Sequence, residues 1–190
     1  MSKAFNTTAV CIPGRHYMVN IDKRLGEIRK LVEEGKYFAI NRARQYGKTT
    51  TLLALNQFLQ KDFSVVFLDF QTLSSEDFST EHSFSLAFAS FLLDAWELNG
   101  NIMTWEIQDI LDHIKNNMNN DNFTLRDLFK ELSKLCAASH KPVVLVIDEV
   151  DSASNNQVFL DFLAQLRAQY IKRFQQPALQ SVILAGGGMI

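Results

Sequence analysis

The segment 143–147 reads Val-Val-Leu-Val-Ile, and it constrains the fold more than any other part of the chain. A strand that is apolar on both faces must be covered on both faces, as in the parallel sheets of α/β proteins. Three more segments have strand character, so the predicted strands are 37–41, 64–70, 143–148 and 181–185. The sequence therefore predicts an α/β fold with a mostly parallel sheet and helices on both faces.

Helical periodicity fills the intervals between these strands. Apolar residues recur at helical spacing at Ile21, Leu25, Ile28 and Val32, at Phe84, Phe88 and Phe91, and at Leu128, Leu132 and Leu135. Gly35 is expected to end the first helix. Thr124 with Asp127 resembles a capping box at the start of the helix that contains Leu128. The phenylalanine stripe is predicted to be core, in preference to a base-stacking platform.

Composition narrows the class of protein and of partner. The 190 residues suit one domain, and 47% apolar with 21% charged residues is typical of a globular protein. A net charge of −2 gives no indication of a nucleic-acid partner. We expect no membrane partner, because no apolar run approaches the roughly 20 residues needed to cross a bilayer. The two cysteines, Cys11 and Cys136, are predicted to be free thiols in the cytoplasm.

A candidate phosphate-binding loop follows the first strand. The usual spacing is Gly, four residues, Gly, Lys and then Ser or Thr, and the chain reads Arg-Ala-Arg-Gln-Tyr-Gly-Lys-Thr over 42–49. Arg42 stands in the place of the first glycine. Gly47 allows the backbone to approach a phosphate, Lys48 would neutralise the outer phosphates, and the Thr49 hydroxyl would bind Mg²⁺. The alternative is a chance Gly-Lys-Thr at the start of a helix.

Two adjacent acids, Asp148 and Glu149, end the third strand. A nucleotide hydrolase needs one carboxylate for its metal and another for the attacking water. Ligands of open α/β sheets bind at the carboxyl ends of the strands, where these two residues lie. Asp148 is the predicted Mg²⁺ residue and Glu149 the predicted base. The alternative is a core strand that ends in solvated acids, but both motifs on one chain favour nucleotide binding.

The string from Tyr37 to Leu52 carries a family resemblance. Its Arg-x-Arg-x-Tyr-Gly-Lys-Thr pattern resembles the bacterial AAA-ATPase-like P-loop proteins, which lack the first glycine at the position of Arg42. The resemblance covers nearly the whole chain and includes the strand that begins at Ser181. It implies ATP and Mg²⁺ as ligands and the sheet order 1-4-3-2. ATP in preference to GTP depends on this resemblance and on the missing Asn-Lys-x-Asp motif.

The resemblance also assigns roles along the chain. It implies that residues 1–190 form one P-loop ATPase domain, complete or incomplete, with a helical lead-in over 1–36 and a nucleotide-binding core over 37–190. Lys48 is implied as a catalytic residue together with Glu149. The residues that it implies around the nucleotide phosphates are Arg44, Gln45, Tyr46, Gly47, Lys48, Thr49 and Thr50.

Family members usually continue into a fifth strand and often into a C-terminal nuclease-like domain of the PD-(D/E)XK type. Since this chain stops after the fourth strand, we expect a fragment or a truncated product, with nucleic-acid binding left to a further domain. Without a fifth strand, the P-loop strand lies at an open sheet edge, and such an edge invites pairing with another chain. Self-association is therefore a further prediction.

Other polar residues are open to two interpretations. Arg167 and Arg173 could reach the nucleotide of a neighbouring subunit, but a basic residue at a helix C-terminus more simply complements the helix dipole. Asp69 could support the site or simply end its strand. The function classes left open are a Mg²⁺-dependent ATPase that drives a conformational or assembly change, a non-catalytic nucleotide switch, and an interaction module derived from an ATPase fold.

Overall fold

The computed structural model describes residues 21–41 and 48–187, excepting the side chains of residues 48–50. The elements in chain order are α1 (Asp22–Glu33), β1 (Tyr37–Asn41), α2 (Lys48–Leu59), β2 (Ser64–Asp69), α3 (Glu81–Leu98), α4 (Trp105–Asn117), α5 (Leu125–Ala138), β3 (Val143–Asp148), α6 (Gln157–Lys172) and β4 (Ser181–Gly186). Two short 3₁₀ turns, Phe70–Thr72 and Val150–Ala153, follow β2 and β3.

The four strands form one parallel sheet in the order β1-β4-β3-β2. This confirms the predicted fold class and strand order. Two predicted strand ends differ by one residue: β2 stops at Asp69 because Phe70 begins a 3₁₀ turn, and β4 extends to Gly186, which pairs with Asn41 of β1.

Alternate side chains of the sheet enter two separate apolar cores. On β3, Leu145 and Ile147 enter a large core shared with α3, α4, α5 and α6. Val144 and Val146 face the other way, into a smaller core with α1 and α2. Every residue of β3 is buried, as the continuous apolar run predicts for a strand covered on both faces.

Phenylalanine rings fill the larger core. Phe84 and Phe88 of α3 are 0% and 1% exposed, and their ring centroids lie 5.5 Å and 5.0 Å from that of Phe162 on α6. Such tilted and edge-on pairs add stability beyond the apolar area that they bury. The structure therefore confirms that the phenylalanine stripe belongs to the core.

Helix ends follow their sequence signals. Gly35 has φ +67°, and the N–H of Lys36 donates to the carbonyl of Leu31 at 2.9 Å, which closes a Schellman motif after α1. At the start of α5, the Thr124 side chain accepts from the Asp127 N–H, while the Asp127 carboxylate accepts from the Thr124 N–H at 3.1 Å. The predicted capping box is confirmed.

Strands β1 and β2 are the outer strands of the sheet that the described residues form. The outer edge of β2 is partly satisfied by Asn101, whose side-chain amide accepts from the Val65 N–H at 3.1 Å and donates to the Val65 carbonyl at 2.9 Å. Association through the edge of β1 stays a prediction. Among the described helices, none is both long and apolar enough to cross a membrane.

Candidate functional site

The carboxyl ends of all four strands meet at one edge of the sheet. The register aligns Ile40 of β1 with Ala185 of β4, and Asp148 of β3 with Asp69 of β2. Ala185 and Asp148 each follow the paired residues Leu184 and Ile147, so the two central strands end at the same level. Parallel strands lie about 4.8 Å apart, so the predicted acid Asp148 stands two strands from the end of β1.

Asp148 points to the face of the sheet that α2 covers. Side chains alternate along a strand, so Asp148 shares the face of Val144 and Val146, which pack with Leu52 and Leu55 of α2. Only 2% of Asp148 is exposed, and one carboxylate oxygen accepts the Glu149 N–H at 2.8 Å. The sheet and α2 together therefore place a buried carboxylate on the side of the helix that begins at Lys48.

Glu149 has a left-handed backbone, with φ 57° and ψ 37°, and within the described ranges no other residue except glycine has a positive φ. Its neighbours hold this conformation from both sides. The N–H donates to Asp148, and the carbonyl accepts from the N–H and the hydroxyl of Ser152 at 3.2 Å and 2.8 Å. Non-glycine residues in rare backbone conformations persist only where the surroundings fix them, and they concentrate at functional sites.

Asp151 joins the turn after β3 to the end of β4. Its carboxylate accepts the N–H of Gly187. Its Cγ lies 2.9 Å from the position that a Cβ on Gly186 would take, so a side chain at Gly186 would displace it. The backbone around Glu149 is thereby connected to the strand that lies between β1 and β3.

The predicted phosphate loop has the expected neighbours in the chain. Strand β1 ends at Asn41 and helix α2 begins at Lys48, so the strand, the loop and the helix follow in that order. The loop residues Arg42, Arg44, Gln45, Tyr46 and Gly47 lie outside the described residues. The same holds for the side chains of Lys48, Thr49 and Thr50, so their contacts with a phosphate stay predictions.

One described residue, Asp148, has the chemistry of a Mg²⁺ ligand. Asp148 supplies a buried carboxylate on the α2 face, and carboxylate and hydroxyl oxygens are the ligands that Mg²⁺ prefers. Among the described residues, no group of three or more His, Cys, Asp and Glu side chains could hold a metal by itself. Mg²⁺ in phosphate-transfer sites usually keeps waters and shares phosphate oxygens with only one or two carboxylates, so this fold needs no such group.

The remaining polar candidates lie elsewhere or have structural contacts. Arg173 follows the last residue of α6 and donates to the Tyr170 carbonyl at 2.6 Å, the contact expected of a basic residue at a helix C-terminus. Arg167 is exposed on α6. The Asp69 carboxylate accepts the Gln71 N–H at 2.9 Å and so caps the 3₁₀ turn after β2.

Sequence reasoning missed two contributors to this edge, Asp151 and Ser152. Asp151 carried a weak signal, since it is a third acid only two residues after Glu149. Ser152 carried none, because its role depends on the left-handed backbone of Glu149.

Comparisons with known proteins agree with this geometry. The model of a family described as an AAA-like domain matches residues 14–185. Among solved structures, the Walker-type ATPase PABY2304 of Pyrococcus abyssi is similar at a TM-score of 0.55 and 15% identity, over 89% of this chain and 45% of that one. The structure of Drosophila ORC bound to DNA is similar at 0.55 and 13% identity, over 90% of this chain and 26% of that one.

These likenesses at low identity show a shared fold. The chain spans less than half the length of either solved structure. No curated protein matches the sequence.

Proposed function

This chain belongs to the AAA-like domain family, and from that premise we propose that it binds ATP with Mg²⁺ and hydrolyses the ATP to drive a conformational or assembly change. The observation that carries the proposal is the pair at the end of β3. Buried Asp148 lies on the face of α2, and the backbone of Glu149 is held in a left-handed conformation beside it.

The proposal gives each residue a role. Backbone N–H groups of residues 44–50 and the N-terminus of α2 would surround the phosphates, and Lys48 would neutralise the outer ones. Thr49 and Asp148 would hold Mg²⁺, which supplies charge neutralisation when it is bound. Glu149 would accept a proton from the attacking water. At the same time the water oxygen would bond to the terminal phosphorus, and the bond from that phosphorus to the leaving diphosphate would break.

The fixed backbone of Glu149 supports its role as the base. A base must lie within hydrogen-bond reach of the proton that it removes, and a small displacement costs much of the rate. Bonds from Asp148 and Ser152 restrict the backbone from which the Glu149 side chain projects. The same proposal takes residues 37–190 as the nucleotide-binding core and 1–36 as the lead-in.

Phosphate release and nucleotide binding, measured on the same samples, test the proposal. We expect Glu149→Gln to lose phosphate release while ATP with Mg²⁺ still raises its Tm. At a hundredfold excess of ligand over Kd, the free energy of unfolding should rise by about 2.7 kcal/mol. Lys48→Ala should lose the Tm shift as well. Glu27→Gln, on the exposed side of α1, is the matched control and should change neither measurement.

One outcome tests Glu149 as the base, and two others separate the function classes. If Glu149→Gln releases phosphate as fast as the wild type, Glu149 is not the base. A wild type whose Tm rises with ATP and Mg²⁺ but that releases no phosphate would favour the non-catalytic switch. A folded wild type without a Tm shift would favour an interaction module that no longer binds nucleotide.

DNA is no part of this proposal. One of the structural neighbours is described as bound to DNA, but this chain has a net charge of −2, and binding to DNA depends largely on neutralising phosphates with Lys and Arg. The nuclease-like domain that the sequence resemblance implies likewise stays a prediction.

A further inference from the structure

Charge is distributed very unevenly along this nearly neutral chain. Residues 62–114 contain ten Asp and Glu and no Lys or Arg, so the rest of the chain carries all 19 basic residues and only 11 acidic ones. Half of those ten acids are exposed on the last turns of α3 and on α4, namely Asp94, Glu97, Glu106, Asp109 and Asp112. This side of the molecule is therefore strongly acidic.

Four large apolar side chains stand out from this acidic side, where α3 ends and α4 begins. Leu98, Ile102, Met103 and Trp105, which we call the apolar tip, are 85%, 46%, 41% and 78% exposed. Trp105 is the first residue of α4, and its side chain is turned away from the core.

The backbone that carries the apolar tip is held in place. Asn101 pairs with both backbone groups of Val65 in β2. The Asn99 side chain accepts from Asn56 and Gln60 of α2 at 2.7 Å and 3.2 Å. The tip is thus an ordered projection at the amino end of β2, and exposed apolar groups of this kind mark interaction sites.

A surface of the opposite charge lies at the end of α6. Arg167, Ile171, Lys172 and Phe174, which we call the basic helix end, combine two cations with two apolar side chains that are 67% and 84% exposed. The Arg173 guanidinium lies 4.3 Å from the Phe174 ring centroid and 3.7 Å from that of Tyr170, so it supports Phe174 from the protein side.

The two surfaces lie at opposite edges of the sheet but at the same end of its strands. Tyr170 of α6 packs on Tyr37, the first residue of the outer strand β1, with ring centroids 4.7 Å apart. Asn101, which precedes Ile102 of the apolar tip, is bonded to Val65 near the start of the outer strand β2. Copies placed side by side would therefore bring one surface against the other.

We propose that the apolar tip of one copy of this chain binds the basic helix end of a second copy. Acidic residues around the tip complement Arg167 and Lys172, while Trp105 and Leu98 complement Ile171 and Phe174. Nucleic acid and anionic membranes are repelled by the acidic side, so a basic and apolar protein surface is the fitting partner. The contact is head to tail, so assembly continues to a ring or an open chain.

Sedimentation velocity of the wild type at its highest soluble concentration, with and without nucleotide, is the first test. We expect species larger than a monomer. Their association should weaken as salt rises from about 10 mM, where charges act over roughly 30 Å, to about 0.15 M, where they act over roughly 8 Å. A wild type that remains monomeric at low salt overturns the proposal. Neither surface includes Glu149, so without nucleotide Glu149→Gln should assemble as the wild type does.

Two double variants test the surfaces. Leu98→Ser with Trp105→Ser removes the tip, and Ile171→Ser with Phe174→Ser removes the helix end; each should weaken association at least about tenfold. Leu31→Ser, at a 37% exposed leucine of α1, is the control and should assemble normally. Because the substituted side chains are exposed, circular dichroism and Tm should remain close to those of the wild type.

Mixing the two double variants gives the sharpest result. Each retains the surface that the other has lost, so an equimolar mixture should form a 1:1 dimer that grows no further. A mixture that stays monomeric overturns the proposal. Double variants that each still assemble like the wild type also overturn it, since association would then use another surface such as the edge of β1.

Discussion

Replacing Glu149 with glycine should stabilise the fold while it abolishes the proposed chemistry. The left-handed backbone at φ 57° and ψ 37° costs a residue with a Cβ roughly 1–2 kcal/mol, and glycine avoids this cost. Glycine loses roughly 0.5–1 kcal/mol through its greater freedom in the unfolded chain. The bonds to Asp148 and Ser152 involve only backbone atoms of Glu149, so they survive. The middle values of the two ranges leave a net backbone gain of about 0.75 kcal/mol.

Urea unfolding measures this gain. With a slope of about 2 kcal/mol per molar urea, the midpoint should rise by about 0.3–0.5 M. Glu27→Gly, at an exposed position inside α1, is the matched control and should lose about 1 kcal/mol. Glu149→Gln keeps the Cβ, so it should not show the gain that glycine gives. If Glu149→Gly loses stability as the helical control does, the argument from backbone conformation is wrong.

Further predictions concern two contacts and one buried thiol. Asp151→Ala should lose about 1–3 kcal/mol of unfolding free energy, because the Gly187 N–H loses its acceptor, whereas Asp151→Asn keeps an acceptor and should lose much less. Thr124→Ala removes the capping box of α5 and should lower the unfolding free energy by about 1 kcal/mol. Burial raises the pKa of the Cys136 thiol to about 12, so in a Cys11→Ser background its reaction with a disulfide reagent at pH 8 should be about a thousandfold slower in the folded than in the unfolded chain. Because the folded pKa is raised, the stability linked to this thiol is full below about pH 9 and falls as pH rises toward 12.

The sequence by itself determined the fold class, the four strands to within one residue, and two helix ends. Continuous apolar runs can be stable only as covered strands, and Gly35 and the pair Thr124 and Asp127 mark helix ends through local backbone chemistry. The sheet order came from the family resemblance, because the pairing of distant strands leaves little trace in local periodicity. The pattern around Lys48 and Asp148 likewise indicated the kind of site without its geometry.

The tertiary structure alone decided what surrounds those residues. That Asp148 shares a face with α2 follows from the side of the sheet on which α2 packs, and that Asp151 meets Gly187 follows from the position of β4 beside β3. The left-handed backbone of Glu149 requires partners on both sides of it. Exposure of Trp105 and Phe174 depends on where their helices begin and end against the sheet, and helical spacing carries no information on that. Local patterns specify elements, whereas contacts between elements distant in sequence depend on how the whole chain packs.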